Sequence, residues 1–99
     1  MARAKSTTKT VTKLKYPDMF NVIFLNDDFT PMDFVISLLV EVFNKDLTQA
    51  QAITMAIHED GKAVAGTFPH EIAEQKTSEA QIISRHNGHP LKITMEPVK

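Results

Sequence analysis

Four polar side chains in this chain are of the types that could together bind a cationic group. Asn26, Asp27 and Asp28 stand in a row directly after an apolar stretch, and His58 follows further along the chain. An ammonium group has three hydrogen-bond donors, and each needs an acceptor once the group leaves water. An amide oxygen, a carboxylate and a neutral imidazole nitrogen are all such acceptors. These residues therefore indicate a site for an amine ligand, provided that the fold brings them together.

Each of these residues also has a purely structural explanation. Asn and Asp side chains often bond to nearby backbone N–H groups, so the row of three could be an Asx-type turn that only joins a strand to a helix. His58 lies three residues before Gly61, a residue type that typically ends helices. A histidine in that position can simply satisfy the last carbonyl groups of the helix. Taken alone, these residues leave both interpretations open.

The sequence contains no set of residues that is typical of an enzyme or of a metal site. It has no cysteine, which excludes disulfides and thiolate chemistry, and it has neither a Gly-rich phosphate loop nor a serine in a nucleophile elbow. The spacing and the glycine of an EF-hand loop are missing. His86 and His89 flank a helix end without partner ligands at a useful spacing. We therefore expect no catalytic residue, no metal and no cofactor.

Charge is distributed unevenly along the chain. The net charge is −1, but residues 1–16 carry five basic residues and no acidic one. We interpret residues 1–16 as a flexible basic extension and residues 17–99 as a single domain, long enough for a modest core. The domain has no basic face that continues the extension, so nucleic-acid binding is not expected. No apolar run approaches the length of a membrane span, and no membrane association is expected.

Capping residues and apolar spacing predict the elements around the row of acceptors. Residues 19–25 are nearly continuous in apolar side chains and predict a buried strand. Thr30 is expected to cap a helix over residues 31–44. Pro31 suits the first helical position, and Asp33 is expected to complete a capping box.

Two further helices are predicted, each with a start signal and a stop signal. Thr48 with Gln51 forms a second capping-box pattern, and Gly61 is expected to end that helix. The third helix is expected to run from Pro69 to about Asn87. Its apolar side is expected to consist of Ile72, Ala73, Ala80 and Ile83.

Two short stretches complete the predicted sheet. Residues 62–68 are rich in small side chains and predict a strand that packs closely beneath a helix. Residues 91–96 alternate apolar and polar side chains, as in a half-exposed strand. The order of elements is therefore β-α-α-β-α-β. We predict a compact α+β domain in which a small, mainly antiparallel three-stranded sheet carries three helices on one face.

Three segments of the chain resemble the signature of the ClpS family, the small adaptors of the bacterial ATP-dependent Clp protease. The first is residues 26–35, with the sequence NDDFTPMDFV, and the second is residues 56–58, AIH, followed by residues 61–62, GK. The third is residues 89–91, HPL, before the last strand. The similarity covers about residues 18–97, and only the basic extension lies outside it.

The resemblance implies a definite function. ClpS-family proteins bind proteins whose first residue is large and hydrophobic, and pass them to the AAA+ unfoldase ClpA for degradation. This chain is accordingly expected to recognise N-degrons that begin with Phe, Leu, Tyr or Trp, and to act with a ClpA-type or ClpC-type unfoldase. The resemblance further implies a cytoplasmic monomer. The alternative is a generic protein-interaction domain without N-terminal residue recognition.

The resemblance also assigns roles to individual residues. Asn26, Asp28 and His58 are expected to hold the α-ammonium group, directly or through water, and Asp27 is expected to add negative potential. Met32 matches the family's gatekeeper, whose bulk disfavours β-branched first residues. The hydrophobic pocket is expected to be lined by Leu25, Thr30, Met32, Val35, Thr54, Ile57 and Leu91.

Three further positions bear on specificity and on docking. Thr54 stands where the family commonly has methionine, so we expect a changed order of preference among Phe, Leu, Tyr and Trp. Glu71 and Lys76, in the third predicted helix, correspond to the surface that docks on the N-terminal domain of the unfoldase. Without the resemblance, these two charges would be read as solvated surface residues.

Overall fold

The apolar stretch that precedes the acceptor residues forms the central strand of the sheet. The computed structural model describes residues 18–99. Within them, β1 (Met19–Leu25) pairs in antiparallel orientation with β2 (Lys62–Pro69) on one side and with β3 (Lys92–Pro97) on the other. The predicted antiparallel three-stranded sheet is confirmed. The middle of β1 is buried, as expected for a central strand.

The register of the sheet brings three chain segments together. Leu25, the last residue of β1, lies opposite Lys62 in β2 and opposite Lys92 in β3. The backbone N–H of Asn26 continues this pairing and donates to the carbonyl oxygen of Gly61 at 2.8 Å. The residues that follow β1 therefore lie beside the segments that lead into both neighbouring strands.

Three helices complete the fold, namely α1 (Met32–Glu41), α2 (Leu47–Asp60) and α3 (His70–His86). Helix α3 packs on all three strands, α2 packs on β2, and α1 packs against α2. The predicted order β-α-α-β-α-β and the α+β class are both confirmed.

The core lies between the helices and the sheet. Val22 and Phe24 of β1 contribute to it together with Leu39 of α1 and Leu91, the residue before β3, and all four are fully buried. Burial of each such side chain contributes about 1.5–3 kcal/mol. The ring of Phe43 packs edge-on against Phe24, with 5.4 Å between the ring centroids. This packing fixes β1 and the end of α1 relative to each other.

The predicted start of the first helix is wrong. Thr30 does not cap α1, because its hydroxyl donates to Oδ2 of Asp27 at 2.8 Å. Pro31 precedes the helix in an extended conformation, and Met32 is the first helical residue. Asp33 therefore lies in the first turn without forming a capping box.

The predicted start of the second helix is also wrong, by two residues. Asp46 caps α2, since its Oδ1 accepts the N–H of Gln49 at 2.7 Å and the Gln49 side chain accepts the N–H of Asp46 at 3.3 Å. The chain already turns at Asn44, which has a φ of 57°, and this places Asp46 at the helix entrance. Thr48 is consequently inside the first turn and has no capping role.

The predicted stops of the second and third helices are confirmed. Gly61 has a φ of 89°, a left-handed conformation that glycine adopts without strain, and its N–H donates to the carbonyl of Ile57 at 2.9 Å. Asn87 and Gly88 follow the last residue of α3. The first helix, by contrast, ends at Glu41 and not near Asn44, and Pro69, predicted to open the third helix, is the last residue of β2 and directly precedes α3.

The inner side of α3 differs from the prediction at two positions. Ile72 is 43% exposed and does not belong to the buried side, whereas Ala73 and Ala80 are fully buried as expected. Ser84 is fully buried although it is polar, because its hydroxyl donates to the carbonyl of Ala80 at 2.8 Å. A satisfied hydroxyl of this kind costs little to bury.

Within residues 18–99, the longest apolar helical stretch falls short of what is needed to cross a membrane. The predicted basic extension, residues 1–16, lies outside the described residues.

Candidate functional site

The acceptor residues meet where β1 and α2 both end. Asn26 follows the last residue of β1, and its N–H is bonded to Gly61, the C-cap of α2. His58 belongs to the last turn of α2. The contact between Asn26 and Gly61 therefore brings the end of α2 beside Asn26, and the two side chains line one cavity.

That cavity leads from the acceptor residues towards the apolar interior. It is lined by Leu25, Asn26, Asp27, Thr30, Met32, Val35, Thr54, Ile57, His58 and Leu91. All seven residues predicted to form the hydrophobic pocket are among them. They come from β1, the following loop, α1, α2 and the segment before β3, so only the folded chain can assemble this wall.

A wider depression of about 340 Å³ forms the mouth of the cavity. It is lined by residues 26–32 and by His58. Asp28 lines this mouth but not the narrower cavity. It is exposed, and its carboxylate forms no hydrogen bond with any other group in residues 18–99. Within this part of the chain, its oxygen lone pairs are therefore available to a ligand.

Asp27 is oriented differently from its neighbour. Its Oδ1 accepts the backbone N–H groups of Phe29 at 2.8 Å and Thr30 at 2.7 Å, and its Oδ2 accepts the hydroxyl of Thr30. Partial burial opposes the charged form, but these three bonds and the nearby His89 outweigh it and hold the pKa of Asp27 below its usual value of 3.8. The Asx-type turn considered from the sequence is therefore present, and Asp27 builds it.

Four of the ten residues that line the cavity are fixed by burial. Val35, Ile57 and Leu91 are each 5% exposed or less, and Thr54 is 3% exposed. The Thr54 hydroxyl donates to the carbonyl of Ala50 at 2.8 Å, so its donor is satisfied within its own helix.

The cavity is narrow, with a volume of about 20 Å³. A space of that size holds about one water molecule and is too small for a leucine or phenylalanine side chain. Met32 is the apolar wall residue with the most freedom, because it is 42% exposed and its unbranched thioether has three rotatable bonds. Entry of a large side chain therefore requires the wall to open, and movement of Met32 is the least costly way to open it.

The two residues predicted to dock the unfoldase lie away from the cavity and its mouth. Glu71 is exposed in the first turn of α3. Lys76 is half-buried, and its ammonium donates to the carbonyl of Val42 at 2.8 Å, directly after α1. The same ammonium lies 5.7 Å from the centroid of the Phe68 ring. Lys76 thus has an intramolecular role that the sequence did not indicate.

His89 is a further residue whose place at the site was not predicted from its chemistry. Its ring packs against Phe34 with 4.4 Å between centroids, and its charge helps to lower the pKa of Asp27. The only signal in the sequence was its occurrence in a matched family segment. Among residues 18–99, no cluster of three or more His, Asp or Glu side chains is arranged to hold a metal ion.

Acceptor side chains above an apolar cavity, on a small α+β domain, define a binding module rather than a catalyst. Comparison with known proteins shows to which family of binding modules the chain belongs. The model of the family described as ATP-dependent Clp protease adaptor protein ClpS matches residues 15–94. The ClpS adapter protein of Vibrio atlanticus is 47% identical over 87 residues, covering 88% of this chain and 82% of the relative. That of Vibrio cholerae is 46% identical over 88 residues, covering 89% and 83%.

A solved structure agrees with these sequence relatives. The structure of Agrobacterium tumefaciens ClpS2 bound to L-phenylalaninamide has a TM-score of 0.81 and 36% sequence identity, and covers 84% of this chain and all of that one. The chain belongs to the ClpS family of Clp protease adaptors. It is therefore an adaptor in proteolysis and not an enzyme.

Proposed function

We propose that this protein binds the free α-amino group and the bulky hydrophobic first side chain of N-degron proteins, and delivers them to a ClpA-type or ClpC-type AAA+ unfoldase of the Clp protease. One observation carries the proposal, namely that acceptor side chains stand at the mouth of a cavity whose interior is apolar. A free N-terminus carries an ammonium group, which can face the acceptors at the mouth, and a large first side chain, which can enter the apolar cavity.

The ligand of the Agrobacterium relative supports this choice. L-phenylalaninamide, to which that protein is bound, combines a free α-amino group with a benzyl side chain. It has no peptide chain beyond its own amide. By analogy, this chain recognises the free α-amino group and the large first side chain of its ligand.

Three residues at the mouth are assigned to the ammonium group. Asn26 supplies an amide oxygen, Asp28 supplies a charged carboxylate, and His58 supplies the lone pair of a neutral imidazole. Together they match the three donors of an ammonium group that has lost its water. Acetylation of the terminus removes the charge and leaves a single N–H donor, so it should abolish this match.

The expected affinity is moderate. Each charge-assisted hydrogen bond contributes about 1.5–3 kcal/mol before desolvation is subtracted, and burial of a Phe or Leu side chain contributes about 1.5–3 kcal/mol. After the cost of association, a binding free energy of about −8 kcal/mol is expected, which corresponds to a micromolar Kd. An adaptor that must release its cargo requires no tighter binding.

The delivery step is assigned to a separate surface. Glu71 is exposed on α3 and lies away from the cavity and its mouth. A complementary charge on the N-terminal domain of the unfoldase could contact it while a peptide occupies the cavity. Lys76 is half-buried and bonded to Val42, so its contribution to docking is expected to be smaller than that of Glu71.

Peptide recognition is tested by fluorescence anisotropy with a labelled peptide that begins with Phe or Leu and with its N-acetylated twin. The free peptide should bind with micromolar Kd and the acetylated one at least about tenfold more weakly. A third peptide that begins with Ala tests the cavity separately from the acceptors. Equal binding of all three would contradict the proposal and would favour a generic interaction domain.

Docking is tested by titrating the purified N-terminal domain of a ClpA-type unfoldase into the protein. The variant Glu71→Ala should weaken this interaction and leave the Kd for the Phe peptide unchanged. Glu74→Ala is the matched control, since Glu74 is a second exposed glutamate on the same helix. Equal docking by both variants and the wild type would remove Glu71 from the interface.

A further inference from the structure

Two adjacent carboxylates at the mouth of the cavity face different partners. Asp28 is exposed and makes no hydrogen bond within residues 18–99, whereas both carboxylate oxygens of Asp27 are used by the loop that follows. We call residues 26–31, which join β1 to α1, the acceptor loop. The two residues have the same charge and neighbouring positions. Their contributions to ligand binding therefore differ only through the groups that their carboxylate oxygens contact.

The two ends of the acceptor loop are held by backbone bonds, from the Asn26 N–H to the Gly61 carbonyl and from the Val35 N–H to the Pro31 carbonyl, but its middle has few other restraints. Phe29 is 79% exposed and so does not anchor the loop in the core. Pro31 and Asp28 are exposed as well. The bonds from Phe29 and Thr30 to Asp27, at 2.7–2.8 Å, are therefore the principal restraint on residues 27–30, the middle of the loop.

On the proposed function of N-terminal residue recognition, we infer that Asp27 is a positioning residue. Its carboxylate folds the acceptor loop into the shape that presents Asn26 and Asp28 to the ligand, and it does not itself bind the ammonium group. Ligand affinity depends on the hydrogen-bond geometry of Asp27, while it depends on the charge of Asp28.

Asparagine separates geometry from charge at this position. The amide Oδ1 of an Asp27→Asn variant can accept both backbone N–H groups, and its Nδ2 can donate to the Thr30 hydroxyl. The three contacts are kept and the charge is lost. At position 28, Asp28→Asn loses the charge without any internal bond to preserve. Asp33→Asn is the matched control for loss of one negative charge, because Asp33 is exposed and lines neither the cavity nor its mouth.

The experiment measures the Kd of a free Phe-initiated peptide for these variants. Asp27→Asn should weaken binding by less than about threefold, Asp28→Asn by about tenfold or more, and Asp27→Ala by about tenfold. The salt dependence of the Kd should be retained in Asp27→Asn and reduced in Asp28→Asn, because only the second variant removes a charge that faces the ammonium. A loss in Asp27→Asn as large as that in Asp28→Asn would overturn the inference, as would wild-type affinity in Asp27→Ala.

A second variant protects the test against misfolding of Asp27→Ala. Thr30→Val keeps the shape of a side chain that lines the cavity and removes only the hydroxyl that donates to Asp27, so it should weaken binding about threefold. Wild-type affinity in Thr30→Val would count against the inference. The proposed function is tested independently of any Asp27 variant. It would be contradicted if the wild type bound the free peptide and its acetylated twin equally well.

Discussion

Lys76 is expected to stabilise the fold, and this contribution must be measured before any effect of Lys76 on docking is interpreted. Its ammonium donates to the carbonyl of Val42, the C-cap residue of α1, at 2.8 Å and lies 5.7 Å from the centre of the Phe68 ring. The contact joins α3 to the end of α1. Substitution Lys76→Met keeps the aliphatic stem and removes only the charged head.

The size of the effect follows from these contacts. A hydrogen bond to a charged group contributes about 1.5–3 kcal/mol, a cation at a helix C-terminus about 0.3–1 kcal/mol, and an exposed cation–π contact about 0.5–1 kcal/mol. The side chain is only half-buried, so solvent weakens each contribution, and the three share one group and do not add. We expect a loss of about 1–2 kcal/mol in the free energy of unfolding.

The assay is urea or thermal denaturation followed by circular dichroism. For a domain of this size, a loss of that magnitude lowers Tm by about 5–15 °C. Lys92→Met is the matched control, because Lys92 is exposed and its ammonium makes no hydrogen bond within residues 18–99; it should change stability by less than about 0.5 kcal/mol. Equal stabilities of the two variants would refute the structural role of Lys76.

Three further predictions concern the site itself. Asp27 has a pKa below its usual value of 3.8, so its ionised carboxylate stabilises the fold above about pH 4. This contribution is lost as the pH falls through the lower pKa of the folded state. In urea titrations, the stability difference between wild type and Asp27→Asn should therefore shrink in acid. The Kd of a free Phe-initiated peptide, measured by anisotropy, should rise about tenfold in His58→Ala, because His58 supplies one of the acceptors at the mouth of the cavity. The order of affinities for Phe, Leu, Tyr and Trp peptides should change in Thr54→Met and persist in Thr54→Val, because the Thr54 hydroxyl donates to Ala50.

Each of these predictions has a contrary outcome. A stability difference for Asp27→Asn that is constant with pH would mean that its hydrogen bonds do not favour the ionised carboxylate. Wild-type affinity in His58→Ala would exclude an acceptor role for that imidazole. Identical orders of preference for wild type and Thr54→Met would remove Thr54 from the specificity of the cavity.

Much of the fold could be predicted because apolar spacing and helix stops are local signals. Residues 19–25 form a nearly continuous apolar stretch, and β1 has those bounds. Gly61 ended α2 as predicted, because a left-handed C-cap favours glycine strongly. Helix starts were harder to predict, since Asp46-Gln49 and Thr48-Gln51 have the same capping pattern in sequence. The turn at Asn44, which the pattern does not reveal, decides between them.

The family resemblance predicted which residues line the site, but it did not predict the contacts among them. Residues from five segments of the chain line the cavity, and no spacing rule could have brought Leu25 and Leu91 together without the sheet register. The bonds of Asp27 to its own loop were likewise invisible, because three adjacent acceptors look alike in sequence. The contact of Lys76 with Val42 depends on how α3 packs, which local patterns do not encode.

N-terminal residue recognition is tested most directly by a crystal structure of this protein with a bound peptide that begins with phenylalanine. The phenyl ring should occupy the widened cavity, with Met32 displaced, and the amino nitrogen should lie about 2.7–3.2 Å from acceptors of Asn26, Asp28 and His58 or from a bridging water. A peptide bound on another surface, or an amino nitrogen facing solvent, would show that the cavity does not bind the first residue in this way.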